Sequence, residues 1–260
     1  MQKLNMKEKP IKFVFASDTH GDMACPESLA ALYAYCKDFK PDIRIAGGDH
    51  FDMRSLRKGA MNDTEGAESL KEDVESGIEF LRKFRPTYYL KGNHEYRLSS
   101  MARSHPSAVV RDYCADLEAK IDREARKAGV KRILPYHGKR GLLRLGPVSA
   151  HHGIGSNLTK LGMHYAEEGG LFMCGHGHTG HQVNLPKHGG GAAYMSPCLC
   201  RIDDMEYAAN YLGTARWNNG FIAGWYSGRD WKAWIIHRIG DRWLWQSDLT
   251  VWTPPKGLRP

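Results

Sequence analysis

Three short apolar runs in the first third of the chain end in the same way, and that shared ending constrains the fold more than any other feature. Ile11–Ala16, Ile43–Ala46 and 87–90 are rich in β-branched and aromatic residues, the composition of strands. Each runs directly into a polar block: Asp18-Thr19-His20, Gly47-Gly48-Asp49 and Gly92-Asn93-His94-Glu95. Apolar residues at helical spacing over 28–39, and a helical stretch over 65–84, separate them. Strands that alternate with helices form βαβ units, and parallel strands present their carboxyl ends to one crevice. Asp18, His20, Asp49, Asn93 and His94 are therefore expected to meet.

Further along, 107–128 carries Val110, Cys114, Leu117, Ile121 and Ala125 every three or four positions, an amphipathic helix closed by Gly129. The segments 133–136, 142–145 and 147–150 read as consecutive strands, the last ending at His151-His152-Gly153. A helix is expected over 158–168, and Leu171–Cys174 leads as a strand into Gly175-His176-Gly177-His178. Strands that first alternate with helices and then follow one another predict an α/β fold with two mixed β-sheets sandwiched between helices. With 260 residues, 42% apolar and 25% charged, the chain is long enough for one large core. The expected division is a core over 1–200 and a tryptophan-rich β-hairpin extension over 201–260 packed on it.

Asp, His, Asp, Asn and three further His supply one shareable carboxylate plus borderline nitrogen and oxygen donors, the mixture a two-metal site needs. The five blocks, in this order, resemble the calcineurin-like metallophosphoesterase superfamily, whose pattern is D-x-H, G-D-x-x-D, G-N-H-[DE], a single H and G-H-x-H. The likeness covers positions 11 to 200 and implies that family's αββα sandwich. It also implies one divalent ion on Asp18, His20, Asp49 and His178, and a second on Asp49, Asn93, His152 and His176. Asp49 would bridge the two, and a bridging hydroxide would attack the phosphorus of a phosphate ester. His94 would assist the leaving group, with Asp52 holding its ring by a hydrogen bond.

Some positions leave a choice. His151 competes with His152, which is preferred because the family's ligand stands directly before Gly. His181 is expected on the substrate side or surface, and His50 outside the ligand set. Arg97 is a candidate for binding a substrate phosphate, with a surface ion pair as the alternative, and Arg54 and Arg57 share that ambiguity. Six cysteines without a C-x-x-C pair read as buried thiols in a reducing compartment. A metal clip at Cys198-Leu199-Cys200 is the minor alternative.

The net charge of +8 is unevenly placed: Lys and Arg outnumber Asp and Glu by 12 to 5 over 97–145, against 15 to 16 over 1–96. This basic stretch either tracks a phosphate backbone or is a solvated helix face. The expectation is a metal-dependent phosphodiesterase or nuclease acting on DNA, RNA or nucleotides. The alternatives are a phosphomonoesterase or phosphoprotein phosphatase, and a binding protein that keeps the fold without catalysis. The phosphoprotein branch has Arg directly after the second Asp of its bridging block, where this chain has Met53. The ligand set suits Mn²⁺ first, then Fe, Zn²⁺ or Ni²⁺, over Ca²⁺. No signal peptide or membrane-length apolar run is seen, so a cytoplasmic protein without a membrane partner is expected. All seven tryptophans lie between 217 and 252, with turn sequences at 227–230 and 240–242 that suggest aromatic hairpins, packed on the second sheet or forming an oligomer contact.

Overall fold

The computed structural model describes residues 9–57, 69–205, 212–245 and 251–252. Its strands are β1 (Ile11–Ala16), β2 (Ile43–Ala46), β3 (Tyr88–Leu90), β4 (Arg132–Leu134), β5 (Leu143–Leu145), β6 (Val148–His151), β7 (Leu171–Cys174), β8 (His181–Asn184), β9 (Ala192–Met195), β10 (Gly220–Ser227), β11 (Asp230–Ile239), β12 (Arg242–Leu244) and β13 (Val251–Trp252). The helices are α1 (Pro26–Phe39), α2 (Leu70–Phe84), α3 (Asn93–Ser104), α4 (Ala108–Lys127) and α5 (Leu158–Tyr165).

β1 lies inside an eight-stranded sheet ordered β13-β12-β11-β10-β1-β2-β3-β4. It pairs in parallel with β2 and antiparallel with β10. Alternation of side chains sends Phe13 and Phe15 to one face and Val14 and Ala16 to the other. Val14 and Ala16 join the core beneath the helices with Leu32, Leu81 and Leu117. Phe13 and Phe15 meet Val148, Leu171 and Met173 of the second sheet. That sheet is ordered β5-β6-β7-β9-β8, and its outer face is covered by α5 through Leu158, Leu161 and Tyr165. The result is helix, sheet, sheet, helix: two mixed sheets between helical layers.

The segment beyond residue 200 supplies β10 to β13, which extend the first sheet outward from β1. The turn sequences at 227–230 and 240–242 join β10 to β11 and β11 to β12, with Gly228 and Gly240 at φ of 57° and 61°. Trp243 and Trp245 are buried in the core beneath the helices, and Trp231 donates its indole N–H to Gly169 O at 2.8 Å.

The helix expected over 65–84 begins at Leu70, capped by Ser69, whose hydroxyl accepts from Lys71 N at 3.1 Å; residues 65–68 lie outside the described residues. The helix expected to 168 ends at Tyr165. α3 has no counterpart in the sequence reading. Its buried positions are His94, Glu95, Leu98 and Ser99, so the inward stripe is mostly polar and leaves no apolar period to detect. β8 was also missed, since His181–Asn184 faces mostly outward.

Phe13 is fully buried between the sheets, against a Gly224 position that a side chain would contest. Phe13→Ala should lower stability by about 3–5 kcal/mol, read from the urea midpoint at constant slope.

Candidate metal centre and active site

The ligand loops are tied together by continuing the strand ladder past the strand ends. Gly47 N donates to Ala16 O (2.7 Å), Asp18 N to Gly48 O (2.9 Å) and His20 N to Asp49 O (3.0 Å). In the second sheet Gly175 N donates to His152 O at 2.8 Å, and across the gap His176 N donates to Asp18 Oδ2 at 3.1 Å. Glu95 locks the third loop to the second: its carboxylate accepts from Asp49 N (3.0 Å), His50 N (2.8 Å), Gly92 N (2.8 Å) and the Tyr89 hydroxyl (3.0 Å). Gly92 has to be glycine, because a Cβ there would collide with Asp49 Oδ1.

These ties bring all seven candidate ligands together. Asp18, His20 and His178 form one group and Asp49, His152 and His176 another, with one donor atom from each residue of a group within 4.8 Å of the others. His178 Nε2 is 3.2 Å from Asp18 Oδ1 and 3.1 Å from His20 Nε2. His152 Nε2 lies 3.1 Å from Asp49 Oδ2 and 3.0 Å from Asn93 Oδ1, which is also 2.8 Å from His176 Nδ1. Two imidazole nitrogens aimed at each other, and an amide oxygen between two others, form a convergence of lone pairs that suits divalent cations. The donor set therefore fits two ions of the borderline class.

Asp52 lies within reach of two rings, with Oδ1 2.7 Å from His20 Nδ1 and 3.0 Å from His94 Nδ1. His94 Nδ1 also contacts Asp52 O at 2.6 Å, and its Nε2 points toward Asp49 Oδ2 at 3.8 Å. Arg97 donates Nη1 to Asp52 O at 3.0 Å and brings Nη2 within 3.2 Å of His94 Nε2, so its guanidinium sits at the catalytic candidate. Arg54 forms a bidentate pair with Asp22 at 2.8 and 2.6 Å.

His151 directs both ring nitrogens away from the cluster: Nδ1 accepts from Gly153 N at 2.9 Å, and Nε2 faces His137 O at 3.3 Å. His50 is buried, stacked on Phe80 at 4.4 Å, with Nδ1 3.1 Å from the Thr19 hydroxyl. Its burial pushes the imidazole down to about 3, so it is neutral. His181 is exposed on β8. Cys198 and Cys200 are free and buried, and both lie within 4.8 Å of a His178 ring nitrogen.

Burial would raise the carboxyls of Asp18 and Asp49, yet facing imidazoles hold both below the usual carboxylate range: His178 for Asp18, His152 and His94 for Asp49. Burial would lower His152, but the charge and hydrogen bond of Asp49 raise it to about 10. For His94, burial is likewise outweighed by Asp49 and Asp52, and its pKa is raised. Five of the seven ligand candidates also carry backbone strain. Asp18, His20, Asp49, His176 and His178 have φ between 52° and 68°, a left-handed conformation that costs roughly 1–3 kcal/mol per residue.

Several contributors escaped the sequence reading. Glu95 was seen only as part of a motif, although it is the hub of the loops. Asp73 of α2 accepts from Asp52 N (2.8 Å) and Met53 N (2.7 Å), fixing the loop that carries Asp52. Its only sequence signal is an acidic residue on the buried stripe of a helix. Trp217 lies 4.1 Å from the His178 ring.

The fold and this site define a two-metal hydrolase scaffold. The chain belongs to the calcineurin-like phosphoesterase family, whose model matches residues 11–189. It is accordingly a metal-dependent hydrolase of phosphate esters. No curated protein sequence matches it. Among solved structures it is similar to a predicted phosphoesterase from Streptococcus pneumoniae, at 13% identity over 95% of this chain and 99% of that chain, with a TM-score of 0.38. It is also similar to Vacuolar Protein Sorting 29 from Cryptosporidium parvum (10% identity, 95% and 98% covered, TM-score 0.43) and to Yfce, a phosphoesterase from E. coli (12%, 92% and 96%, TM-score 0.37). No described helix is long and apolar enough to cross a membrane.

Glu95→Ala would strand three buried backbone N–H groups. It should cost at least about 3 kcal/mol in urea denaturation and reduce the metal content of the purified protein. In the metal-free protein both His152 nitrogens face acceptors and hold a proton up to about pH 10, so a metal must displace one. Metal uptake at pH 8 should release a proton, and affinity should rise with pH until about 10. Affinity that stays flat from pH 7 to 9 in buffered titrations would contradict this.

Proposed function

We propose that the chain is a phosphodiesterase acting on nucleic acid or nucleotides. One divalent ion would be held by Asp18, His20, Asp49 and His178, the other by Asp49, Asn93, His152 and His176. The observation that carries this reading is the pair of buried donor groups flanking Asp49 and Asn93. Bound there, divalent ions lower the pKa of water and polarise phosphoryl oxygens. Mn²⁺ is the first choice, with Fe, Zn²⁺ or Ni²⁺ as alternatives, because the imidazole, carboxylate and amide donors suit all four.

The chain's own chemistry centres on His94. Its imidazole is held from the Nδ1 side by Asp52, while Nε2 faces Asp49 Oδ2 at 3.8 Å and has Arg97 Nη2 beside it at 3.2 Å. Asp49 and Asp52 favour the protonated ring, so His94 can donate a proton from Nε2 to the departing oxygen, an effect worth ~10²–10⁴-fold. Asp52 acts as a positioning residue for both His94 and His20. Arg97, with Nη2 beside His94 Nε2, is placed to neutralise an incoming phosphate oxygen. Support for a polyanionic substrate comes from the excess of Lys and Arg over 97–145. A cytoplasmic setting accompanies this reading, supported by six buried, free thiols.

The test is hydrolysis of bis-p-nitrophenyl phosphate and p-nitrophenyl phosphate by metal-stripped protein reloaded with Mn²⁺. Metal-dependent diester cleavage is expected, and monoester-only cleavage would replace this reading with a phosphomonoesterase. His94→Ala should lower kcat at least ~100-fold while metal content by elemental analysis stays near wild type. Since the proton on His94 is favoured, kcat should fall as pH rises beyond the ordinary histidine range. That limb should vanish in His94→Ala; a limb that persists there belongs to another group.

A further inference from the structure

A cavity of about 560 Å³ opens between α3, α4 and the loop after β4, within the size range of small-ligand sites. Its floor sets one lysine against two carboxylates and so carries a net negative charge. Lys91 is pinned by Glu118 at 2.9 Å and Asp122 at 2.8 Å, so its charge is spent within the protein. The walls differ. Tyr96 is 42% exposed, and its ring centroid lies 5.8 Å from that of Tyr136 at an interplanar angle of 52°. The Arg103 guanidinium lies 5.3 Å from the Tyr96 centroid. Arg126 and Arg140 complete the rim, and all three arginines are exposed; Arg103 also acts at longer range on Glu118, helping to hold its carboxyl down.

The position of this groove gives it meaning. Tyr136 is 5.9 Å, ring to ring, from the ligand candidate His152, and Tyr96 stands two residues after His94. One tyrosine thus faces the metal centre on one side and the groove on the other. The three arginines come from the basic stretch 97–145, elsewhere on which Lys127 is spent on Glu124 and Arg111 on the carbonyls of His105 and Pro106.

We propose that this groove binds the nucleoside next to the scissile phosphate, its base stacking on Tyr96 and Tyr136 and the following phosphate meeting Arg103, Arg126 and Arg140. The inference rests on the phosphodiesterase reading above and names the substrate class for that same site. Aromatic stacking on a base contributes about 1–3 kcal/mol and tolerates any base, because each presents a π-face. The guanidinium groups add charge-assisted contacts to phosphate oxygens. The site therefore selects for a nucleotide without reading its sequence.

The experiment compares thymidine 5′-p-nitrophenyl phosphate with methyl p-nitrophenyl phosphate, two diesters that share a leaving group. The full-length, Mn²⁺-loaded protein is expected to prefer the thymidine ester in kcat/KM. In Tyr96→Ala that preference should fall at least ~10-fold, mainly through KM, while Tyr96→Phe retains it. Arg140→Ala should weaken binding of 5′-phosphorylated thymidylyl-(3′→5′)-thymidine in a salt-dependent way, and binding unchanged by that substitution overturns the phosphate contact. A preference unaltered in Tyr96→Ala, or no preference in the wild type, overturns the groove while leaving the hydrolase reading intact. If neither diester is cleaved, the phosphodiesterase reading fails, and calorimetric binding of thymidine 5′-phosphate decides the groove separately. Binding lost in Tyr96→Ala and kept in Tyr96→Phe supports it, and equal binding by all three overturns it.

Discussion

The rest of the site depends on one buried carboxylate. Glu95 accepts hydrogen bonds from backbone N–H groups of two different loops and from the hydroxyl of Tyr89 in β3. With both oxygens engaged, the loop after β2 and the first turn of α3 behave as one piece. Asp49 is anchored at its own backbone N–H and receives His94 N on Oδ1 at 2.9 Å, so the candidate bridging carboxylate and the catalytic candidate are set by the same network. Buried N–H groups left without partners are costly, which makes the arrangement all or nothing.

Around that knot the protein gathers more imidazole and carboxylate than a dry interior would tolerate unpaired. Asp18, Asp49 and Asp52 are at most 1% exposed, and each faces at least one histidine. The opposing shifts follow: carboxyls pushed down, His94 and His152 pushed up, while His20, dominated by burial and the neighbouring His94, goes down. Left-handed backbone at five ligand candidates adds to the cost. Such a cluster is stable as protein only because the sheets beneath it are packed tightly, with Phe15, Ile45 and Leu171 fully buried.

The sequence exposed the parts whose chemistry repeats in a short window. Strand ends that run into Gly-Asp or Gly-Asn-His blocks, and the period of α4, were legible because strand composition and helix spacing are local. α3 was not, since its buried stripe is His94, Glu95 and Ser99 with only Leu98 apolar. Asp73 and Tyr136 were invisible for a different reason. Their partners are 20 and 16 residues away in sequence, at Met53 and His152, and no local pattern encodes such meetings. The choice between His151 and His152 was a matter of which way a strand end turns, and ring geometry rather than residue type separates them.

The place of β10 beside β1 has a temporal consequence. β1 delivers Asp18 and His20, yet its second edge is paired only by Gly220–Ser227, made some two hundred residues later. During synthesis β1 can recruit β2, β3 and β4 in turn, but it remains an open edge, a template for unwanted pairing, until β10 arrives. Leu199 N, which bonds to Asp18 O at 3.0 Å, and Asn218 N, which bonds to His178 O at 3.0 Å, come equally late. A ribosome-bound chain therefore exposes half-built ligand loops until Gly220–Ser227 has emerged, and closure of the centre waits on that strand.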